Sequence, residues 1–485
     1  MTETAIPVKS WALYVFFGAN VPEVEVREAA VNNLIQMATV GSSDKVAVAA
    51  QLHRPGKWAY RYTMPPRPPG SNPGMLAPAE IIPNVNSADP KTIVEFVRWA
   101  VRKCPAEHTM LVVWGHGYGI DDYLPRGARP YFQRKPRVPA STNALAEISS
   151  VLDEQIKKEA DWSLLTERIP DSRYIDMVLM SGVFDECALE VLPNAQLGAA
   201  CKTALPAGKK LSILGFDACT MAMAEVWWEM QGCAHIGVAS EAQEPDASFP
   251  YDRFLARLIL EPWATPEQVA KMIVDAYVES YAYQNNTFVT LSACNLILTK
   301  GLQDAVLLLT IALIKAVAAN HDLREVIFAA RNACPIFDPD GFIDLGRFCQ
   351  ILEVTIPDQD VCTACCKVQT ALGSFIEYAR YSPLDPALRI SQTTGLSLWF
   401  PPWLEDPFVE IPEKEASIAY LINGYDCTEF GRNTYWGRFL RFMWRKRPHC
   451  PDSLLGTLVG LPLGGSGEAE GQTKTTETQT AGEGQ

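Results

Sequence analysis

Apolar residues change their spacing along this chain in an orderly way, and the order predicts an architecture. The run WALYVFFG, Trp11 to Gly18, is continuous and β-rich, and Gly18, Ala19 and Asn20 close it. From Val24 to Thr39 apolar positions recur at helical spacing, with Glu23 and Glu25 near the start and Gly41 beyond the end. Val46 to Leu52 and Tyr60 to Met64 read as the next two strands, and the Pro- and Gly-rich stretch from Pro65 to Pro83 as a loop. Asp89 and Pro90 then open a helix that runs to about Lys103. MLVVW, Met110 to Trp114, and LSILGF, Leu211 to Phe216, are short unbroken apolar runs of the kind buried in a parallel sheet. The second leads into a predicted helix, Thr220 to Met230, and a strand, His235 to Ala239.

Strands alternating with helices predict an α/β sheet covered on both faces. Between about Asp121 and Gln196 the alternation stops. Connections inside a sheet usually take ~2–6 residues, so this stretch reads as an insertion with its own purpose or its own small fold. It opens with GARPYFQRKPRVPAST, dense in Arg, Lys and Pro. Beyond Tyr251 helices are expected at about Pro266 to Gln284, Lys300 to Asn320, Leu323 to Cys334 and Val361 to Tyr381. Thr287 to Cys294 and Gly395 to Phe400 are the clearest later strands. The expected organisation is a first part of the core over 1–120, an insertion over 121–196, a second part over 197–295, and a C-terminal α/β region over 296–463. The tail, 464–485, is nearly free of apolar residues and is expected to be disordered.

Composition narrows the function. With 42 basic and 56 acidic residues the formal net charge is -14, which gives a nucleic-acid role no support. The basic run Arg445, Lys446, Arg447 reads as a solvated helix end. Thirteen cysteines without regular spacing fit a reducing compartment, most of them as small core residues. The first residues lack a secretory signal pattern. The apolar run Ala305 to Ala319 is interrupted by Lys315 and falls short of the ~20 residues a bilayer requires. A cytoplasmic protein that spans no membrane is the expectation.

Two segments place a reactive side chain just past a buried strand: VVWGHG, with His116, and ILGFDAC, with Cys219. Ligands of open parallel sheets bind beyond the carboxyl ends of the strands, so the pair belongs to one candidate site. On the predicted helix Cys219 would sit at the N-terminus, where free N–H groups and the dipole favour a thiolate. An imidazole beside it would take the thiol proton and return it to a leaving amine. The N–H groups of Gly117 and Cys219 are candidates for holding an oxyanion. Taken singly, each residue is more often a structural thiol or a turn. A zinc site in CTACC (Cys362, Cys365, Cys366) or at His449 and Cys450 lacks the second close pair that structural zinc favours, and none is expected.

The sequence resembles the clostripain family of caspase-like cysteine peptidases. The resemblance rests on WALYVFFGANVPEVEVREAAVNNLIQMATVGSSDKVAVAAQLHRP, LVVWGHG, LGFDACTMAMAEV and VASEAQEPDASFPYDRFL, with FIDLGRF, GLSLWFP and NTYWGRFLRF further on. It implies a caspase-like α/β/α sandwich with a mostly parallel central sheet, a long insertion and a helical C-terminal half. It also implies peptide hydrolysis through a thioacyl enzyme, with His116 and Cys219 as the dyad. Asp217 falls on an acidic position tied to preference for Arg or Lys at P1, where a carboxylate meets a guanidinium bidentately. Glu241, Glu244 and Asp246 lie on the adjoining loop and would add negative charge. The chemistry requires no cofactor, and calcium is the one ion the resemblance leaves open. Protein or peptide substrates are the expected partners. Ser248 and Phe249 stand where the family usually has Gly-Trp. The basic insertion, with Arg126, Arg129, Arg134, Lys135 and Arg137, is the expected place for activation of a zymogen, by self-cleavage or by another protease. The alternative reading is an inactive scaffold or peptide-binding protein that kept the fold. An acyl-transfer enzyme such as a transpeptidase is a third.

Overall fold

The computed structural model describes residues 6–56, 58–67, 76–120, 129–130, 181–185, 190–282, 284, 288–338, 341–382, 392–402, 425 and 428–443. In chain order the first elements are β1 (Lys9–Gly18), α1 (Val24–Val40), β2 (Val46–His53), β3 (Trp58–Thr63), β4 (Glu80–Pro83), α2 (Pro90–Lys103) and β5 (Ala106–Trp114). Short strands β6 (Arg129–Pro130), β7 (Ser181–Asp185) and β8 (Glu190–Pro193) follow, then α3 (Asn194–Ala204), β9 (Leu211–Asp217), α4 (Ala224–Glu229) and β10 (Ala234–Ala239). Next come α5 (Tyr251–Leu260), α6 (Pro266–Tyr281), β11 (Thr290–Asn295), α7 (Thr299–Ala319), α8 (Leu323–Ala333), β12 (Ile336–Asp338) and β13 (Phe342–Asp344). The chain continues with α9 (Leu345–Thr355), α10 (Gln359–Phe375), β14 (Ile376–Tyr381), β15 (Ser397–Trp399), α11 (Glu429–Thr434) and α12 (Trp436–Met443).

Nine strands form one sheet in the order β14-β11-β10-β9-β5-β1-β2-β3-β4. The five central ones, β10 to β2, run parallel, while both flanks are antiparallel. The unbroken apolar runs have a simple cause. In β1, Ala12, Tyr14 and Phe16 face one core, and Trp11, Leu13, Val15 and Phe17 face the other. A strand buried on both sides cannot alternate with polar residues. Helices α1, α5 and α6 cover the second face, and α2, α3, α4 and α7 to α10 the first. Leu296–Ala319 has the length and hydropathy to cross a membrane, and most of it is buried; α7 packs on α10.

Three expectations need correction. Part of the loop from Pro65 to Pro83 is β4, which pairs with β3 at the sheet edge. The helix expected over Val361 to Tyr381 ends at Phe375, because IEYARY then alternates half-buried and exposed and pairs with β11. The helix expected from Thr220 begins only at Ala224. Residues 220–223 are committed elsewhere: Thr220 N–H donates to the Ala242 carbonyl, Ala222 N–H to that of Ser240, and the Ala222 carbonyl accepts from Ser397 N–H.

The described ends of the insertion are tied to the body. β6 pairs with β8 and β8 with β7. Asp185, fully buried, accepts hydrogen bonds from Asn20 Nδ2 and Ser87 N–H and lies 3.5 Å from His53 Nδ1. Its three partners follow β1, end β2 and precede α2.

Candidate active site

Register decides which loops meet. β5 and β9 are parallel neighbours, and Trp114 pairs with Asp217. Gly115 N–H continues the ladder to the Asp217 carbonyl at 3.2 Å. His116 and Cys219 therefore both stand two residues beyond the same rung of the sheet. A Cβ placed on Gly117 would lie 2.4 Å from the Cys219 carbonyl oxygen and 3.0 Å from its nitrogen, so only glycine permits this approach. The backbones of Gly117 and Cys219, whose N–H groups are the oxyanion candidates, are in direct contact. Asp246, exposed on the loop after β10, acts electrostatically on both His116 and Cys219.

Cys219 does not ride a helix end, contrary to expectation. Thr220, with φ of 55°, turns the chain sharply after Cys219, and α4 starts four residues later. For a β-branched residue that backbone is strained. Burial pushes the thiol up, the Glu244 N–H pulls it down by donating to Sγ at 3.2 Å, and Asp217 and Asp246 push it up again. Burial lowers His116, against the pull of Glu23 and Asp246. Both shifts favour the neutral forms, thiol and imidazole.

Asp217 is 2 % exposed and does not cap a helix. Its carboxylate accepts from Phe249 N–H at 3.1 Å and from the Tyr251 hydroxyl at 2.8 Å. Burial is the main reason its pKa is pushed up to about 6. Glu244 lies against it and is raised well above the carboxylate range, by burial first and then by the Asp217 charge. No N–H or hydroxyl of the described residues donates to either Glu244 oxygen. The contact therefore holds only while one carboxyl keeps its proton, and the donors from Phe249 and Tyr251 favour the charge on Asp217, leaving the proton to Glu244.

The loop bearing Glu244 is fixed at several points. The Trp114 indole N–H donates to Ser248 Oγ at 3.0 Å and to Asn33 Oδ1 at 3.1 Å. The Tyr281 hydroxyl donates to the Ser248 carbonyl at 2.8 Å. Ser248 has φ of 60°, the left-handed backbone that a glycine would take without strain. Its hydroxyl, bonded to Trp114, compensates.

Glu241 goes elsewhere. It is fully buried, bonded to the Thr393 hydroxyl and set beside Asp344, and burial followed by the Asp344 charge raises it well above the carboxylate range. Asp344 in turn accepts from Arg347 N–H, Thr394 N–H and the hydroxyls of Thr393 and Thr394. Of the acidic residues named from the sequence, Asp217, Glu244 and Asp246 gather at Cys219, and Glu241 does not. Arg126, Arg134, Lys135 and Arg137 lie outside the described residues. Arg129 is in β6, with its backbone paired to Glu190. Tyr251, Tyr281 and Trp114 carry no local signal of their roles, since each acts on a residue far away in the chain. Among the described residues no cluster of three metal-binding side chains occurs.

A family model described as the clostripain family matches residues 191–437. No curated protein matches the chain. A solved structure of a secreted C11 cysteine protease from Bacteroides thetaiotaomicron is similar with a TM-score of 0.57 at 12 % identity, covering 88 % of this chain and 100 % of that one. An inactive zymogen C11 protease from Parabacteroides distasonis gives 0.56 at 13 %, with 88 % and 99 % covered. The secreted Bacteroides protease in complex with an irreversible peptide inhibitor gives 0.54 at 15 %, with the same coverage. The fold is the caspase-like α/β sandwich of these proteases.

Proposed function

The chain belongs to the clostripain family of cysteine proteases, and on that premise we propose that it is an endopeptidase cleaving after Arg or Lys. One observation carries the proposal: His116 and Cys219 leave adjacent parallel strands at the same rung. His116 takes the Cys219 proton as the sulfur attacks the scissile carbonyl, and the N–H groups of Gly117 and Cys219 receive the oxyanion. The imidazolium then protonates the leaving amine, and water, activated by the same ring, cleaves the thioacyl enzyme.

Glu244 and Asp217 supply the preference for a basic residue. The Glu244 oxygens are buried without donors, and a P1 guanidinium brings several in a planar fork. Its arrival releases the proton the two carboxyls share. Asp217, held by Phe249 and Tyr251, forms the floor behind Glu244. The neutral thiol, bonded to the Glu244 backbone, fits a resting form of the enzyme. Cleavage at the basic residues of the insertion is the proposed activation, and the cytoplasm the proposed location.

The test is labelling with an arginyl chloromethylketone, before and after limited nicking. Labelling that disappears in Cys219→Ala and falls by a factor on the order of 10³ or more in His116→Ala supports the dyad. A chain that stays unlabelled in every activation state is a peptide-binding scaffold instead.

A further inference from the structure

A second groove opens on the same face of the sheet as Asp217, beyond the end of β2. It has a volume of about 550 Å³ and is lined by Leu52, Trp58, Tyr60 and Tyr62 together with Arg27 and Arg54. Positions 58, 60 and 62 alternate along β3, so their three rings share one side of the strand. Trp58 is half exposed, at 51 %, and its ring lines the groove. Arg27 is held in place by donating to the carbonyls of Val21 and Pro22 at 3.2 and 2.9 Å. No carboxylate among the described residues pairs with Arg54. Two guanidiniums beside three aromatic rings make a positive, apolar site on a chain of net charge -14.

The groove lies on the leaving-group side of the dyad. The acid pair flanks Cys219 toward β10, and His116 flanks it toward β1. A histidine that protonates the departing amine must face the peptide beyond the scissile bond, so that peptide runs from β5 across β1 toward β2. Glu23, whose charge acts on His116, sits one helical turn before Arg27. Two to three strand spacings of ~4.8 Å separate His116 from the groove, which an extended chain covers in about three to five residues.

Given the peptidase reading, we propose that this groove is a primed-side subsite that takes an acidic substrate residue next to an apolar one, about three to five positions after the cleaved bond. The carboxylate meets Arg54 and Arg27, and the apolar neighbour packs on Trp58 and Tyr60.

The experiment uses internally quenched peptides with Arg at P1 and Glu-Leu, Lys-Leu or Ala-Ala at the fourth and fifth primed positions. Wild-type enzyme is expected to show kcat/KM about tenfold higher for the Glu peptide than for the Lys peptide, and Arg54→Glu to reverse that order. Trp58→Ala is expected to narrow the gap between Glu-Leu and Ala-Ala. An unchanged Glu/Lys ratio in Arg54→Glu overturns the subsite while leaving the peptidase intact, since a short arginyl substrate ending at the second primed position reports that activity separately. If wild type cleaves neither, titration calorimetry of the Glu-Leu peptide against Cys219→Ala protein reads the groove directly. Binding that Arg54→Glu abolishes supports the site. No binding, as when a segment of this chain or a second copy fills the groove, rejects it.

Discussion

Two buried acid pairs arise from one short segment, and they have opposite surroundings. Glu241 and Glu244 are three residues apart on the loop after β10. Glu241 joins Asp344, where Thr393, Thr394 and the Arg347 backbone point donors at the carboxyls. Glu244 joins Asp217, where Phe249 and Tyr251 serve only the aspartate and the Glu244 oxygens receive nothing. The first pair is the more closed one and ties the loop to β13, with only Glu241 Oε1 left without a donor among the described residues. The second is beside Cys219, with both Glu244 oxygens left without a donor among the described residues. Buried charge alone does not mark a binding site; unfilled acceptors next to reactive chemistry do.

The comparison can be broken most severely at Asp217. Asp217→Asn is expected to cut kcat/KM for arginyl substrates by ~10²–10³-fold and to leave an active thiol detectable with a small uncharged alkylator. Equal loss of both signals would mean that Asp217 only holds the loop. Next in size is the pH response. Asp217 titrates near pH 6 and Glu244 above the carboxylate range, so binding of a basic P1 strengthens as pH rises through that window. Glu244→Gln removes the second titrating carboxyl, so the acid limb then follows the buried Asp217 alone, with a raised KM for arginine. A pH profile of kcat/KM on the variant that overlays the wild type argues against the pair.

Glu241→Gln is the counterpart on the closed side, and it should spare P1 selectivity. The Glu241 pKa is raised in the folded protein, so its contribution is present below the unfolded value and is lost as pH rises through the folded one. Glutamine has no such loss. Relative to wild type the variant gains stability as pH rises from 4 to 8, measured as an increase in urea midpoint. The smallest effect is expected at Ser248→Gly. Relief of the left-handed backbone, ~1 kcal/mol, opposes loss of the Trp114 hydrogen bond of similar size. A net change beyond about 0.5 kcal/mol in denaturant titration would show that one of the two dominates.

Local sequence pattern misleads where neighbours compete for the backbone. Thr220 to Met230 has a helical pattern, yet its first residues are drawn into bonds with Ser240, Ala242 and Ser397, so the helix dipole never reaches Cys219. Val361 to Tyr381 contains a change of period at Ile376 that only the pairing with β11 enforces. By contrast, MLVVW and LSILGF were legible because strands buried on both faces carry their environment in local composition.

Sequence alone determined the parallel core, the two loops bearing His116 and Cys219, and the acidic character of the segment after β10, since these follow from runs of neighbouring residues. Tertiary structure decided that Glu244 rather than Glu241 faces Asp217, that the thiol sits on a turn, and that Arg27, Arg54 and three rings share a groove. Those outcomes depend on strand register and on which hydrogen-bond donors a folded loop meets, and no local stretch of chain encodes either.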